Sequence, residues 1–238
     1  MKAQRVDYTA DGLAMVAQLY RDPAQAGLRP GVLVFPDAMG LSGHTTSRAE
    51  ALARLGYVAL ACDLHGGGQY TEDLPEVMSL LAPLQRDPER MRARAQAAYD
   101  ALVMHAEVDR AKVAAIGYCI GGALAFELAR KGVGLAGSVG FHGQITTTHP
   151  DGAAWIKGKV LVCLGADDPY VPLKHRLRFE DEMRAAGVDW RMNLYGGVVH
   201  SFTIPGSERH QPDANRYDAS ADRRSWNEML AFLDEVFA

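Results

Sequence analysis

Val113-Ala114-Ala115-Ile116-Gly117-Tyr118-Cys119-Ile120-Gly121-Gly122-Ala123-Leu124-Ala125-Phe126 is an apolar run that turns a tight corner and leaves as a helix-forming run. The unbroken apolar residues before Gly117 suit a strand buried on both faces, and those from Ile120 onward suit a helix. Gly117-x-Cys119-x-Gly121 at the join has the pattern of a nucleophile elbow, with Cys in the place of Ser. Glycine is needed there because the elbow is a strained strand-to-helix turn, and larger neighbours would collide with the strand or the helix. Such a turn pushes the sulfur out over the sheet edge. It also aims the N-terminus of the following helix at that sulfur, which favours a thiolate and an oxyanion. The same letters also describe a plain corner with a buried core thiol, and the remainder of the chain decides between the two.

Outward from this stretch, short apolar runs alternate with helix-like runs. Gln4 to Tyr20 reads as an antiparallel hairpin about Asp11-Gly12. Buried strands are expected at Gly31–Pro36, Tyr57–Asp63, Lys112–Tyr118, Ala136–Phe141, Lys159–Gly165 and Asp189–Tyr195. Helices are expected at Ser42–Leu55, Glu89–Ala106, Ile120–Lys131, Leu173–Ala186 and Ser225–Phe237, with Gly56 and Gly187 as stops. The proline-bearing segment Thr71 to Pro88 suggests short helical turns. Gly143 to Gly158 and Thr203 to Arg224 read as loops. The alternation implies an α/β fold, a mostly parallel twisted sheet of about seven or eight strands with helices on both faces. At 238 residues, 1–238 is expected to form one domain.

In a sheet of this kind the chemistry collects at the carboxyl ends of the strands. Asp37, Cys119, Asp168 and His200 all fall at such ends. The order is nucleophile, acid, base, which is the order of an α/β-hydrolase triad. On this reading His200 holds Cys119 as a thiolate, and an Asp fixes the imidazole tautomer. The residues alone leave Asp167 or Asp168 open for that acid. The backbone N–H groups of Ile120 and of Ala38, from the first βα loop, are expected to form the oxyanion hole. Cys62 and Cys163 lie inside apolar runs and read as inert core thiols.

Two further glycine patterns are set aside. His65-Gly66-Gly67-Gly68 spells the oxyanion motif of lipases but follows the wrong strand, so it is expected to be a flexible loop. Gly132-x-Gly134-x-x-Gly137 spells a dinucleotide fingerprint but leaves a helix and enters a strand, the reverse of what that fingerprint needs.

With these residues in view, the chain resembles the dienelactone hydrolase family. The likeness is carried by Gly117–Phe126, by Gly165-Ala166-Asp167-Asp168-Pro169-Tyr170-Val171-Pro172 and by His200-Ser201-Phe202. Phe35–Gly40, Gly56–Ala59 and Asp63-Leu64 add to it. The resemblance implies an α/β-hydrolase fold, a Cys119–His200–Asp168 triad, and hydrolysis of small esters or lactones through a thioester, with no metal or cofactor. The family register selects Asp168 over Asp167. It gives Asp37 the place of a Glu that takes the thiol proton in well-known members. Members specific for dienelactone carry an Arg four residues after the triad His, where this chain has Ile204, so the general activity transfers better than the substrate. Arg86 and Arg90 are candidates for a second family Arg on the substrate, and His142 is a candidate pocket residue.

Composition narrows the alternatives. The net charge of -4 has no basic stripe to suggest nucleic acid, and no apolar run is long enough to span a membrane. The polar start does not read as a signal peptide, and an odd set of three cysteines has no disulfide framework. The expectation is a cytoplasmic monomer with a small-molecule partner. A thiol redox sensor or binding protein on the same scaffold is the alternative function.

Overall fold

The computed structural model describes residues Met1–Ala238. Eight strands form one mostly parallel sheet, so the α/β architecture and the strand number agree with the sequence reading. The chain divides into two compact units, Met1–Ala115 and Ile116–Ala238, and each is described by itself.

In the first unit, β1 (Gln4–Ala10) and β2 (Leu13–Tyr20) pair antiparallel. The turn between them needs positive φ at both central residues, and Asp11 and Gly12 adopt 51° and 73°. β3 (Arg29–Phe35) pairs parallel with β4 (Val58–Ala61), which pairs antiparallel with β2. Between β3 and β4 lies α1 (Gly43–Arg54), capped by the Ser42 side chain, which accepts from the Thr45 amide.

The segment expected to be short helical turns is instead one helix, α2 (Leu74–Arg86). Pro75 sits in its first turn, where a missing N–H costs nothing. Pro83 lies inside the helix and removes one bond, to the Ser79 carbonyl, but near the C-terminal end, so the turns before it stay intact. α3 (Pro88–Val103) follows at once, with the Asp87 side chain capping the Glu89 amide. β5 (Val108–Tyr118) begins earlier than the expected Lys112 and carries the chain toward the elbow.

In the second unit, β6 (Gly137–Phe141), β7 (Lys159–Gly165) and β8 (Trp190–Tyr195) run parallel in unbroken register. The strand order in the sheet is β1-β2-β4-β3-β5-β6-β7-β8. α4 (Ile120–Arg130) and α5 (Leu173–Ala186) have the expected bounds to within a residue, and Gly187 ends α5 at φ 68°. The core sets Phe126 against Phe179, Val160, Val162, Leu164 and Met183. α6 (Ala219–Phe237) starts well before the expected Ser225. Its first turn is polar and reads as loop, but Asp218 caps it by accepting from the Ser220 and Ala221 amides.

Candidate active site

Cys119 is the residue between β5 and α4, and it sits at φ 54°, ψ -120°. A β-carbon at Gly117 would lie 2.0 Å from the Gly121 carbonyl oxygen, so the corner closes only around glycine. The Cys119 amide donates to the Phe141 carbonyl at 3.0 Å, tying the elbow to the end of β6. Ile120 opens α4, and the first amides of a helix have no acceptor within it. Of the three free thiols, Cys62 and Cys163 are fully buried, and only Cys119 has solvent access. Burial pushes the Cys163 thiol up to about 12 and raises Cys62 further still. Neither can be a nucleophile near neutrality.

The turn after β7 carries both aspartates. Asp168 is buried, while its neighbour Asp167 is exposed. Asp168 Oδ2 lies 2.7 Å from His200 Nδ1, and its Oδ1 accepts the Tyr170 amide at 2.9 Å. Both carboxylate oxygens are therefore held, and the imidazole is presented with Nδ1 toward the acid. This geometry takes up one of the two aspartates that the residues left open.

Backbone contacts bring the Asp168 turn and the His200 loop together. The Ala166 amide donates to the Tyr195 carbonyl and the Asp167 amide to the Val198 carbonyl. A β-carbon at Gly165 would stand 2.2 Å from the Val198 carbonyl oxygen, so glycine at the end of β7 lets the His200 loop close down.

His200 also has a support that the sequence did not disclose. The polar stretch after it folds back beside it: the His200 amide donates to the Ala214 carbonyl at 3.0 Å, and the Arg216 amide donates to the His200 carbonyl at 3.1 Å. Ser201, at φ 56°, donates its hydroxyl to Asn215 Oδ1 at 3.1 Å. The His200 backbone is thus gripped on both sides by residues 214–216. No periodicity or motif marks this, because the bonds are main-chain and non-local.

The imidazole of His200 stands edge-on to two rings, Tyr170 at 4.9 Å and His142 at 5.0 Å between centroids. The Cys119 side chain is close enough to act on the proton affinity of His200. Burial alone disfavours its cation. The charge and hydrogen-bonding influence of Cys119 and Asp168 outweighs that and raises His200 to about 10.

A proton held more tightly in the folded than in the unfolded chain stabilises the fold. The contribution is complete below the unfolded value of about 6.5 and disappears as pH rises through about 10. Thermal unfolding of the native protein should therefore lose stability between these limits by more than a His200→Gln variant does. Parallel pH profiles for the two would remove this account of the ion pair.

The other residues singled out by sequence lie elsewhere. His142 is wholly buried at φ 40°, with Nε2 2.8 Å from Thr203 Oγ1. It packs behind His200 and presents no surface to a substrate. Arg90, on α3, is paired with Asp11 at the β1–β2 turn, where Arg94 joins it. Arg86 lies exposed on the last turn of α2. In the first unit, the Asp37 carboxylate is buried and accepts the Met39 amide at 2.8 Å, a loop-capping bond. Ala38 is the next residue of that loop.

A mostly parallel eight-stranded α/β sheet with a glycine-lined strand-to-helix elbow is the α/β-hydrolase class of fold. The sequence profile of the dienelactone hydrolase family matches residues 16–237, and the chain belongs to that family. By class it is an ester and lactone hydrolase.

A solved structure named as a dienelactone hydrolase-like promiscuous phosphotriesterase, P91, from metagenomic libraries, is 43% identical, with a TM-score of 0.95 over 100% of this chain and 99% of its own. A second, named m3DLH, is 42% identical, with a TM-score of 0.95 and the same coverage. Among curated proteins, carboxymethylenebutenolidase of Pseudomonas sp. (strain P51) is 27% identical over 201 residues, covering 80% of this chain and 81% of that protein. No helix is long and apolar enough to cross a membrane.

Proposed function

We propose that the protein hydrolyses small carboxylic esters or lactones through a Cys119–His200–Asp168 triad and a thioester intermediate. The observation that carries this reading is one imidazole bonded to a carboxylate through Nδ1 and held in its charged form by the one thiol with solvent access.

The Cys119 thiolate attacks the carbonyl carbon, and the carbon–oxygen π pair moves onto oxygen. The oxyanion is met by the amides of Ile120, at the positive end of α4, and of Ala38. As the tetrahedral species collapses, the alkoxide leaves and takes the proton of the His200 imidazolium, giving a thioester and a neutral imidazole. That imidazole then removes a proton from water as the water oxygen attacks the thioester carbonyl. Cys119 departs as thiolate, and the ion pair is restored. Asp168 keeps the tautomer and orientation correct throughout.

Asp37 keeps the charge of the family Glu at its position, and we assign it as an auxiliary acid. Ile204 stands where members specific for dienelactone place an Arg, so a strong grip on a substrate carboxylate is not part of this proposal. We place the enzyme in the cytoplasm as a monomer, in keeping with three unpaired thiols.

The test is a panel of aryl and alkyl esters and lactones, with and without a carboxylate, run with Asp37→Asn alongside. Because a protein 43% identical to this chain is named a promiscuous phosphotriesterase, aryl phosphotriesters belong on the same panel. Neutral esters or lactones should turn over with acylation of Cys119 detectable by mass. Asp37→Asn should lose more rate than thermal stability, whereas equal losses would return Asp37 to a capping role. A Cys119 that forms sulfenic acid with peroxide but turns over no ester would favour the redox reading instead.

A further inference from the structure

The His65-Gly66-Gly67-Gly68 run, set aside as a flexible loop, is rigidly organised. It follows β4, and the buried carboxylate of Asp63 gathers it. Asp63 accepts the amides of His65 at 3.0 Å, Gly66 at 3.0 Å and Gly68 at 2.7 Å, together with that of Val16 at 2.9 Å. A carboxylate holding four amides leaves little freedom for the chain around it. The positive φ values of Gly66, Gly67 and Gly68 are what allow the loop to wrap it.

From this platform the imidazole of His65, itself only 4% exposed, reaches back to the loop after β3. His65 Nε2 lies 2.8 Å from the Ala38 carbonyl oxygen. A carbonyl only accepts, so Nε2 carries the hydrogen and donates it. Nδ1 has no partner and burial disfavours the cation, so the ring sits as one neutral tautomer.

Backbone bonds run alongside. The Leu41 amide donates to the Gln69 carbonyl at 3.0 Å, and the Thr71 amide to the Met39 carbonyl at 3.1 Å. Gly40, at φ 96°, passes so close that a β-carbon would stand 2.2 Å from the Gln69 carbonyl oxygen. The segment 38–41 is thus bound along one side by 65–71, and His65 supplies the side-chain bond nearest to its start.

We infer that His65 is a positioning residue: it fixes the Ala38 peptide and thereby the aim of the Ala38 amide at the developing oxyanion. This rests on the assignment of Ala38 to the oxyanion hole made above. It gives the glycine run a role in the reaction although it follows the wrong strand to supply the donor itself. Misplacing one such donor by a fraction of its bond length is felt in the transition state and hardly at all in ground-state binding.

The test compares His65→Phe with His65→Gln in the full-length protein. The readouts are kcat, KM, the affinity for a trifluoromethyl ketone that forms a tetrahedral adduct, and Tm. His65→Phe removes the donor and should lower kcat and adduct affinity together, by roughly 30-fold, with KM within about twofold. His65→Gln keeps an N–H that reaches the carbonyl and should recover most of both, while sharing the loss in Tm. If His65→Phe does not accumulate as folded protein, His65→Asn, polar but too short to reach, takes its place.

Equal kcat in the donor and non-donor variants, while Ala38→Pro is impaired, would overturn the role of His65 and leave the oxyanion assignment standing. Full activity in Ala38→Pro, which lacks the amide hydrogen altogether, would overturn that assignment and the inference built on it.

Discussion

Cys119→Ala should abolish measurable ester turnover, with kcat falling by about 10³-fold or more and no acyl-enzyme detectable by mass. The methyl group cannot attack a carbonyl, and neither remaining thiol can replace the sulfur. Cys62 and Cys163 lie fully buried, with their acidities suppressed. Whatever acceleration survives comes from the oxyanion donors and from substrate binding. Ala accepts the φ of 54° no worse than Cys does and the side chain is partly exposed, so the stability lost should be only what Cys119 contributes by holding the proton on His200. A Cys119→Ser variant keeps shape but not acidity. Without a thiolate, His200 loses a main source of its raised affinity for the proton, so this variant should also be severely impaired. Unchanged turnover in the alanine variant would end the proposal that Cys119 carries the chemistry.

Gly117→Ala is expected to be the most damaging single methyl addition at the elbow. The new β-carbon would fall 2.0 Å from the Gly121 carbonyl oxygen and 2.1 Å from its carbon, both main-chain atoms of the first helical turn. Backbone has no rotamer by which to escape, so either β5 or α4 must shift. A cost of at least about 3 kcal/mol follows, or roughly 6–12 °C in Tm for a chain of this size. Activity should fall further than the folded fraction, because any shift of α4 moves the Ile120 amide relative to Cys119.

Gly187→Ala provides the control. That glycine is at φ 68°, but a methyl group added there would have no atom within 4 Å, so only backbone strain of about 1 kcal/mol applies. Melting curves of the two variants separate steric closure from conformational preference. A Gly117→Ala protein as stable as Gly187→Ala would mean that the corner is looser than its geometry implies.

Much of this site was legible in the chain because its parts obey local rules. The elbow is written in seven consecutive residues, Gly117 to Ala123, since a strained turn tolerates glycine where side chains would collide. The α5 stop at Gly187 and the hairpin at Asp11-Gly12 are equally local. The departures come where a neighbour outweighs local preference. α2 forms through two prolines: Pro75 falls in the first turn, where its missing N–H has no partner to lose, and Pro83 lies near the C-terminal end, where one lost bond leaves Val77, Leu81 and Leu84 buried. The Ala219 turn is polar yet helical because Asp218 caps it. The glycines after His65 read as mobile, but the Asp63 carboxylate immobilises them.

The order of residues was enough to specify the α/β class, the chain order of Cys119, Asp168 and His200 on which the proposed triad rests, and the burial of Cys62 and Cys163. These follow from periodicity, from glycine sterics and from the burial of apolar runs. It took the folded arrangement to put Asp168, which the residues without the family register had left level with Asp167, against the imidazole, to bring residues 214–216 around His200, to put His142 behind His200, and to commit Arg90 to the hairpin turn. Each of those outcomes depends on hydrogen bonds or ring contacts between residues distant in the chain. The direction of a side chain at the end of a strand is set by the partners that folding brings to it, and no local pattern encodes them.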